Sequence, residues 1–199
     1  MSSPVDIAND ALQKLAVNEI ASFDDNNEAA RFFKQRYEDL RDTVLQMHPW
    51  NFAQRRTSLA LLATTPEYEF EYEHQLPTDP YCLKVEEVED NVEYRIEGRK
   101  LLGHNETVNI LYTARITDEN DFPFLFREVL ATYLAAQAAW KLTGSVSLRD
   151  SLMTELDALL AEARVRDSQE GTPRKRSRGN WINGRYQTLR TGDIRVTAD

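Results

Sequence analysis

Cysteine, histidine, glycine and proline are all scarce in this chain of 199 residues, which has one cysteine, three histidines, seven glycines and seven prolines. A single cysteine, Cys82, excludes an intrachain disulfide and a cysteine-rich zinc site. His48, His74 and His104 lie too far apart in the sequence for a helical metal motif. We therefore expect no metal, no cofactor and no thiol chemistry.

Long apolar runs are also absent. No stretch approaches the ~18 uninterrupted apolar residues of a membrane-spanning helix, and the first residues show no basic-then-apolar export signal. The chain is nevertheless 41% hydrophobic and 10% aromatic, which is enough to build a packed core. We expect a protein without a membrane partner or an export sequence.

Charge of one sign dominates each part of the chain. The net charge is −9, but residues 171–199 hold seven basic and two acidic residues, a net charge of +5. Residues 1–170 therefore carry −14. An acidic body with a basic tail is typical of a chain with an interaction arm, and the sign of the body disfavours nonspecific nucleic-acid binding through its surface.

Apolar residues at helical spacing predict four helices. Ser3, Pro4 and Asp6 form a helix-start pattern, and Gly144 is a helix-stop residue. Ser147 with Asp150 resembles a capping box. The third helix is apolar nearly all round, so we expect it to be the most buried. The predicted helices span residues 4–17, 27–47, 122–143 and 148–167.

The apolar period changes from about 3.6 to 2 between the second and third helices. Rings and carboxylates alternate in residues 68–73, which predicts a strand with three aromatic side chains on one face and three glutamates on the other. Turn residues separate the segments that follow. Four further strands are predicted, over residues 83–88, 91–97, 99–102 and 107–114.

These patterns predict an α+β fold. A helical bundle formed by residues 1–54 and 118–170 carries an inserted small antiparallel β unit, residues 55–117. Residues 171–199 are too polar to bury a core and are predicted to form a flexible, extended basic C-terminal arm.

The run His48-Pro49-Trp50-Asn51-Phe52-Ala53 is the most specific motif in the chain. A proline that ends a long helix, followed by an aromatic ring that folds back on the bundle, is the commoner structural explanation of such a run, and a binding knob is the alternative. The run is accompanied by Arg41-Asp42 and Arg55-Arg56, and by Asn9-Asp10-Ala11-Leu12, Ile20-Ala21-Ser22-Phe23-Asp24-Asp25, Glu28-Ala29-Ala30-Arg31, Leu76-Pro77-Thr78-Asp79 and Phe122-Pro123.

Together these segments resemble the head-to-tail adaptor family of short-tailed phages, also called tail tubular protein A or the first connector protein. The resemblance covers most of residues 8–170, and Trp181-Ile182 followed by Arg185 is similar to the Trp-Ile-x-x-Arg-like ending of that family. It implies a structural protein with no catalytic residues. Family members form a ring, normally of twelve subunits, that docks on the portal protein after DNA packaging and forms the platform for the tail nozzle protein.

The resemblance also implies a location and a set of partners. We expect the protein in the virion tail at the portal vertex, and in the host cytoplasm during assembly. Its partners are the portal protein, the nozzle protein and further copies of itself, while packaged DNA passes through the ring without specific binding.

The basic arm has three interpretations: docking on the portal, contact with DNA phosphates, or a solvated linker. Docking is favoured because basic residues accelerate encounter and a tryptophan supplies a buried anchor. The portal-binding candidates are Arg174, Lys175, Arg176, Arg178, Trp181, Ile182 and Arg185.

Glu67, Glu69, Glu71 and Glu73 are candidates for lining the ring lumen, because repulsion between like charges lets a duplex slide without sticking. The solvated face of an ordinary strand is the other explanation.

Two alternative functions stay open. Paired carboxylates could cleave peptidoglycan as a glycoside hydrolase, which requires an acid and a base or nucleophile roughly 5–9.5 Å apart. The basic arm could instead make the chain a nucleic-acid-binding module.

Overall fold

Residues 3–89 and 92–170 are described by a computed structural model. The predicted α+β class is confirmed, with four α-helices and two small antiparallel sheets. The arm predicted over residues 171–199 lies outside the described residues. The helices are α1 (Pro4–Lys14), α2 (Glu28–Met47), α3 (Phe124–Thr143) and α4 (Val146–Gln169), with short 3-10 turns at Asn51–Ala53 and Glu119–Asp121.

Capping side chains set the helix starts. Ser3 Oγ accepts from the Asp6 backbone N–H while the Asp6 carboxylate accepts from that of Ser3, so the predicted start of α1 is confirmed. Helix α1 ends at Lys14, earlier than predicted, and Ala16 with φ of +54° departs from helical backbone just beyond it. The predicted cap at Ser147 is wrong: Ser145 Oγ accepts from the Leu148 N–H at 3.2 Å. Ser145, directly after Gly144, is thus the N-cap of α4, and the φ of +68° at Gly144 ends α3.

Helix α3 lies at the centre of the bundle and packs on α1, α2 and α4. Its buried side chains include Phe126, Leu130 and Leu134, each fully inaccessible to solvent, as its nearly uniform apolarity predicts. Within the part of the chain that the structure describes, no helix has the length and apolarity needed to cross a bilayer.

Within the described ranges, seven strands lie between α2 and α3 and form two sheets. One sheet has the order β1-β7-β4 and the other the order β2-β3-β6-β5, and all pairs are antiparallel. The strands are β1 (Gln54–Ser58), β2 (Ala60–Leu61), β3 (Tyr72–Gln75), β4 (Cys82–Val88), β5 (Tyr94–Glu97), β6 (Lys100–Gly103) and β7 (Asn109–Ala114).

The alternating strand predicted over residues 68–73 is wrong for most of its length. Glu69 has a φ of +70°, which is incompatible with an extended strand, and β3 begins only at Tyr72. The three rings do not share one buried face either, because Tyr68 is 77% exposed whereas Phe70 is 8% exposed. Glu71 N–H donates to the Gly103 carbonyl of β6 at 3.2 Å, but alternation alone does not bring residues 68–70 to a partner strand.

Candidate functional site

The most specific sequence motif, residues 48–53, forms the connection from α2 into β1. His48 has extended backbone angles and ends α2, and the chain then turns through the short 3-10 segment. Trp50 is only 2% exposed, and its indole N–H donates to the Val44 carbonyl at 3.1 Å. The expectation that this ring folds back on the bundle is confirmed.

An aromatic cluster attaches the same motif to the beginning of α3. Trp50 meets Phe126 edge to face with ring centroids 5.0 Å apart, and Phe52 lies 5.0 Å from Phe126. Phe122 completes the cluster at 4.8 Å from Phe126. Such edge-to-face pairs add to the energy of burial and favour one arrangement of the rings.

Two polar side chains of the motif hold the last turn of α4. His48 Nε2 lies 2.8 Å from Asp167 Oδ2, and the Asn51 side-chain amide donates to the Asp167 carbonyl at 2.8 Å and to Glu170 Oε2 at 3.3 Å. We call His48, Asn51, Asp167 and Glu170 the clasp. The clasp therefore fixes the position of Glu170, the last described residue before the basic segment.

A second polar junction joins the bundle to the β unit. Asp42 on α2 accepts from Arg41 at 3.0 Å and from Arg115, which follows β7, at 2.6 Å. Arg41 is 5% exposed, so the Asp42 carboxylate compensates a positive charge that is shielded from water. The Arg115 guanidinium also lies over the Tyr81 ring at 4.5 Å. The Arg41-Asp42 pair therefore acts as a structural connector.

The four glutamates proposed to line a lumen do not form one free charged row. Glu73 pairs with Lys100 at 2.6 Å and Glu69 with Arg95 at 3.4 Å, while Glu67 and Glu71 are exposed. Hydrogen bonds from Lys100 and then from Thr64 lower the pKa of Glu73. Two of the four carboxylates are thus partly neutralised by neighbours, and the lumen role of the set stays a prediction.

One cleft, with a volume of about 590 Å³, is lined mainly by residues of the β1-β7-β4 sheet. Arg56, Leu111 and Glu87 are neighbours in register across the three strands, which puts a cation, an apolar side chain and an anion side by side. The other lining residues are Thr57, Ser58, Glu89, Asn109 and Ile110. Residues 54–58 show no alternation in the sequence, so neither this strand nor the cleft beside it was predicted.

A smaller cleft, of about 230 Å³, has an acidic lining. Glu67, Glu69, Glu73 and Glu97 contribute to it together with the exposed Tyr68 ring. Since Glu69 and Glu73 are ion-paired, the mixture of charges there is typical of a solvated surface.

General acid catalysis by a carboxyl group requires a raised pKa at a substrate-binding surface. Desolvation, and then the charge of Glu128, raises the pKa of Asp10, but Asp10 lines neither cleft. Residues 3–89 and 92–170 contain no group of three or more side chains arranged to hold a metal ion.

Cys82 is buried at the beginning of β4, and burial raises the pKa of its thiol. We expect a thiol reagent such as 5,5′-dithiobis(2-nitrobenzoic acid) to react with the native protein on the order of 100-fold more slowly than with the unfolded chain, because the sulfur must first be exposed by an opening reaction. Absorbance at a fixed reagent concentration, with and without guanidinium chloride, measures the ratio. Equal rates in the two conditions would contradict the buried position of this thiol.

The portal-binding candidates, residues 174, 175, 176, 178, 181, 182 and 185, lie outside the described residues, so their role stays a prediction. What the structure adds is the clasp that precedes them. The motif around Trp50 was evident in the sequence, but its contact with Asp167 spans 119 positions and no local pattern indicates it. The chain matches no protein-family model and no curated protein.

Proposed function

We propose that this protein is a structural head-to-tail adaptor of a phage virion, which forms a ring on the portal after DNA packaging and carries the tail nozzle. The observation that carries the proposal is the clasp. His48 and Asn51, from the motif on which the family resemblance chiefly rests, hold the α4 turn from which the basic segment departs. A docking arm needs such a fixed origin, because a rigid anchor limits the volume that the arm must search.

Charge supports the same assignment. The body carries −14 and the segment beyond Gly171 carries +5, so the segment is suited to an acidic groove on a protein partner. A duplex passing an acidic body meets repulsion and does not adhere, which suits a channel for DNA exit.

In a ring, each arm needs only a weak affinity for the portal. Ordering an extended segment costs ~1–2 kcal/mol per residue in backbone entropy, so a single arm holds its partner loosely. Once one subunit is seated, its neighbours contribute further contacts at high effective concentration, and the combined attachment becomes nearly irreversible. The protein is therefore monomeric until it meets the portal.

The nozzle protein is assigned to the β unit, whose exposed 590 Å³ cleft presents both charge signs beside Leu111. The helical body then makes the contacts between neighbouring subunits of the ring. Mixed charge with an apolar centre is the composition of a typical protein interface.

Removal of residues 171–199 is expected to abolish binding to the portal protein while the body keeps its circular dichroism spectrum and melting temperature. In the full chain, Trp181→Ala should weaken binding by roughly 30- to 700-fold, the equivalent of the ~2–4 kcal/mol of an aromatic anchor. Tyr186→Ala, an aromatic truncation in the same segment, is the matched control with little expected effect. Biolayer interferometry on immobilised portal measures all three.

Retained portal binding by the truncated protein would overturn the arm mechanism. Clearing of peptidoglycan by the purified protein, abolished by a single Glu→Gln change, would replace the adaptor with a hydrolase. A gel shift with duplex DNA that requires residues 171–199 and weakens steeply with salt would favour a nucleic-acid-binding module.

A further inference from the structure

Strand β5 forms one edge of the β2-β3-β6-β5 sheet, and all four of its residues are exposed. Within the part of the chain that the structure describes, no strand pairs with its outer side. An open edge presents a row of backbone donors and acceptors beside which another strand can form. Two large side chains of β5 are also partly uncovered, since Tyr94 is 39% and Ile96 42% exposed. This edge is therefore a candidate contact surface.

The hydrogen-bond pattern of the sheet determines which backbone groups of β5 face outward. The Leu76 N–H donates to the Arg99 carbonyl at 3.0 Å, so the odd-numbered residues of β6 bond toward β3 and the even-numbered ones toward β5. The even-numbered residues of β6 lie opposite the odd-numbered residues of β5. The N–H and C=O groups of Tyr94 and Ile96 are therefore directed away from the sheet.

The two faces of β5 differ in character. Ile96 lies in register with Leu101 on β6, and Leu101 with His74 on β3, and the last two side chains are fully buried. Ile96 thus extends a buried row to the edge of the sheet, where it is partly exposed. Arg95 and Glu97 lie on the opposite face and carry opposite charges. A further strand beside β5 would cover the apolar row and place its own side chains next to these two charges.

The charge order of β5 is complementary to that of a second copy that runs antiparallel to it. With Ile96 opposite the same residue of the second copy, Arg95 faces Glu97 and Glu97 faces Arg95, which forms two pairs of opposite charge. Tyr94 then falls opposite Gly98, which has no side chain to obstruct the ring. The other register that overlaps three residues of each strand centres on Arg95 and places two guanidinium groups directly opposite each other.

Ion pairs within each copy leave these two charges available. Arg95 also lies 3.4 Å from Glu69 of its own chain, but both side chains are half exposed or more, so the pair is weak and the guanidinium can contact a second carboxylate. On the same face, Lys100 and Glu73 neutralise each other at 2.6 Å.

The other charges around this edge do not favour a different register. Glu93, just before β5, falls opposite Arg99 of the second copy, which is again an opposite charge. We do not count this pair, because the Arg99 guanidinium already donates to the Pro77 and Cys82 carbonyls of its own chain. The exposed Glu67 and Glu71 add negative charge to both copies and weaken the contact, but they lie outside the paired strands.

We propose that two copies of this chain associate by antiparallel pairing of their β5 strands, with Ile96 at the two-fold axis. The joined sheet then ends on both sides at β2, which has only two residues and offers little edge for further growth. The contact goes beyond the proposed function, because a two-fold pair closes on itself and does not build a ring. Since each strand has only four residues, the dissociation constant is expected to be on the order of 1 mM, and dilute protein stays monomeric.

Covalent trapping at the two-fold axis tests the pairing without a portal protein. Ile96→Cys in the full chain places two thiols on residues whose Cα atoms are about 5.5 Å apart, which is within disulfide range. Oxidation with copper phenanthroline at the highest soluble concentration should give a covalent dimer. Cys82 does not compete because it is 2% exposed.

Leu61→Cys is the matched control, because Leu61 is 43% exposed and lies on the opposite edge of the same sheet. The dimer yield from Ile96→Cys is expected to exceed that of the control by roughly tenfold, the ratio that about 1.4 kcal/mol of specific attraction produces. A yield no higher than the control overturns the proposal.

Charge reversal in the Ile96→Cys background tests the register. Arg95→Glu alone, or Glu97→Arg alone, turns both cross-strand pairs into like charges and should lower the dimer yield roughly tenfold. A mixture of the two variants has opposite charges across the contact again. It should give the mixed dimer, identified by its mass, in preference to either homodimer. A chain that carries both changes should dimerise as the parent does.

Equal yields from the parent and the two charge variants overturn the pairing, and so does a mixture whose yield stays low. Recovery in the mixture also shows that the single variants are folded, because an unfolded chain would not be rescued by its counterpart. Portal binding by the same proteins is measured separately. Since β5 is not part of the arm, failure of this pairing and failure of the adaptor function are distinguished.

Discussion

Trp50→Ala is expected to lower the free energy of unfolding by about 3–5 kcal/mol. The ring is 2% exposed, packs edge to face on Phe126, and donates its N–H to the Val44 carbonyl. Removing it leaves a cavity where α2, α3 and the motif meet, and leaves that carbonyl without its side-chain donor. Urea unfolding followed by far-UV circular dichroism measures the loss.

Trp140→Ala is the matched control for this substitution. It removes the same side chain from the same bundle, but at a site that is 62% exposed, and we expect a change within about 0.5 kcal/mol. Similar losses for both variants would mean that Trp50 is not part of the core. Trp50→Phe retains ring packing without the N–H donor and is expected to fall between the two.

Asp42→Ala should also be strongly destabilising, by about 3–5 kcal/mol, because it leaves Arg41 buried without its carboxylate. Arg41 is 5% exposed, and Asp42 also binds Arg115 at 2.6 Å, so one truncation breaks the link between α2 and the end of β7. Thermal unfolding monitored by calorimetry measures the change, and we expect the β unit to lose protection from proteolysis along with the bundle.

The exposed ion pair between Asp24 and Lys34 provides a control for the destabilisation caused by Asp42→Ala. Asp24 binds Lys34 at 2.6 Å, but both side chains are more than half exposed, so Asp24→Ala should cost at most ~1 kcal/mol. Equal effects of the two substitutions would show that the Arg41–Asp42–Arg115 network contributes no more than a surface pair.

Local signals predicted the helices well. The Ser3–Asp6 capping box and the left-handed Gly144 are short-range chemistry that needs no tertiary partner, and each lies at its predicted place. The error at Ser147 has the same origin, because Ser145 and Ser147 are both capable caps and only the path of the turn selects between them.

The strands and the site depend on partners that are distant in the chain. Residues 54–58 have no alternation and become a strand only by pairing with Asn109–Ala114, whereas residues 68–70 alternate and pair with no strand. The clasp likewise joins positions 48 and 167. The motif around Trp50 was therefore recognisable from the sequence as a unit, but the attachment it makes was not.

Asn51 binds the final turn of α4 and lies three residues before the first residue of β1. Asn51 therefore connects the last turn of α4 to the strand that carries Arg56, a lining residue of the larger cleft. One amide side chain thus relates the position of the final helical turn to the start of the sheet that borders this cleft.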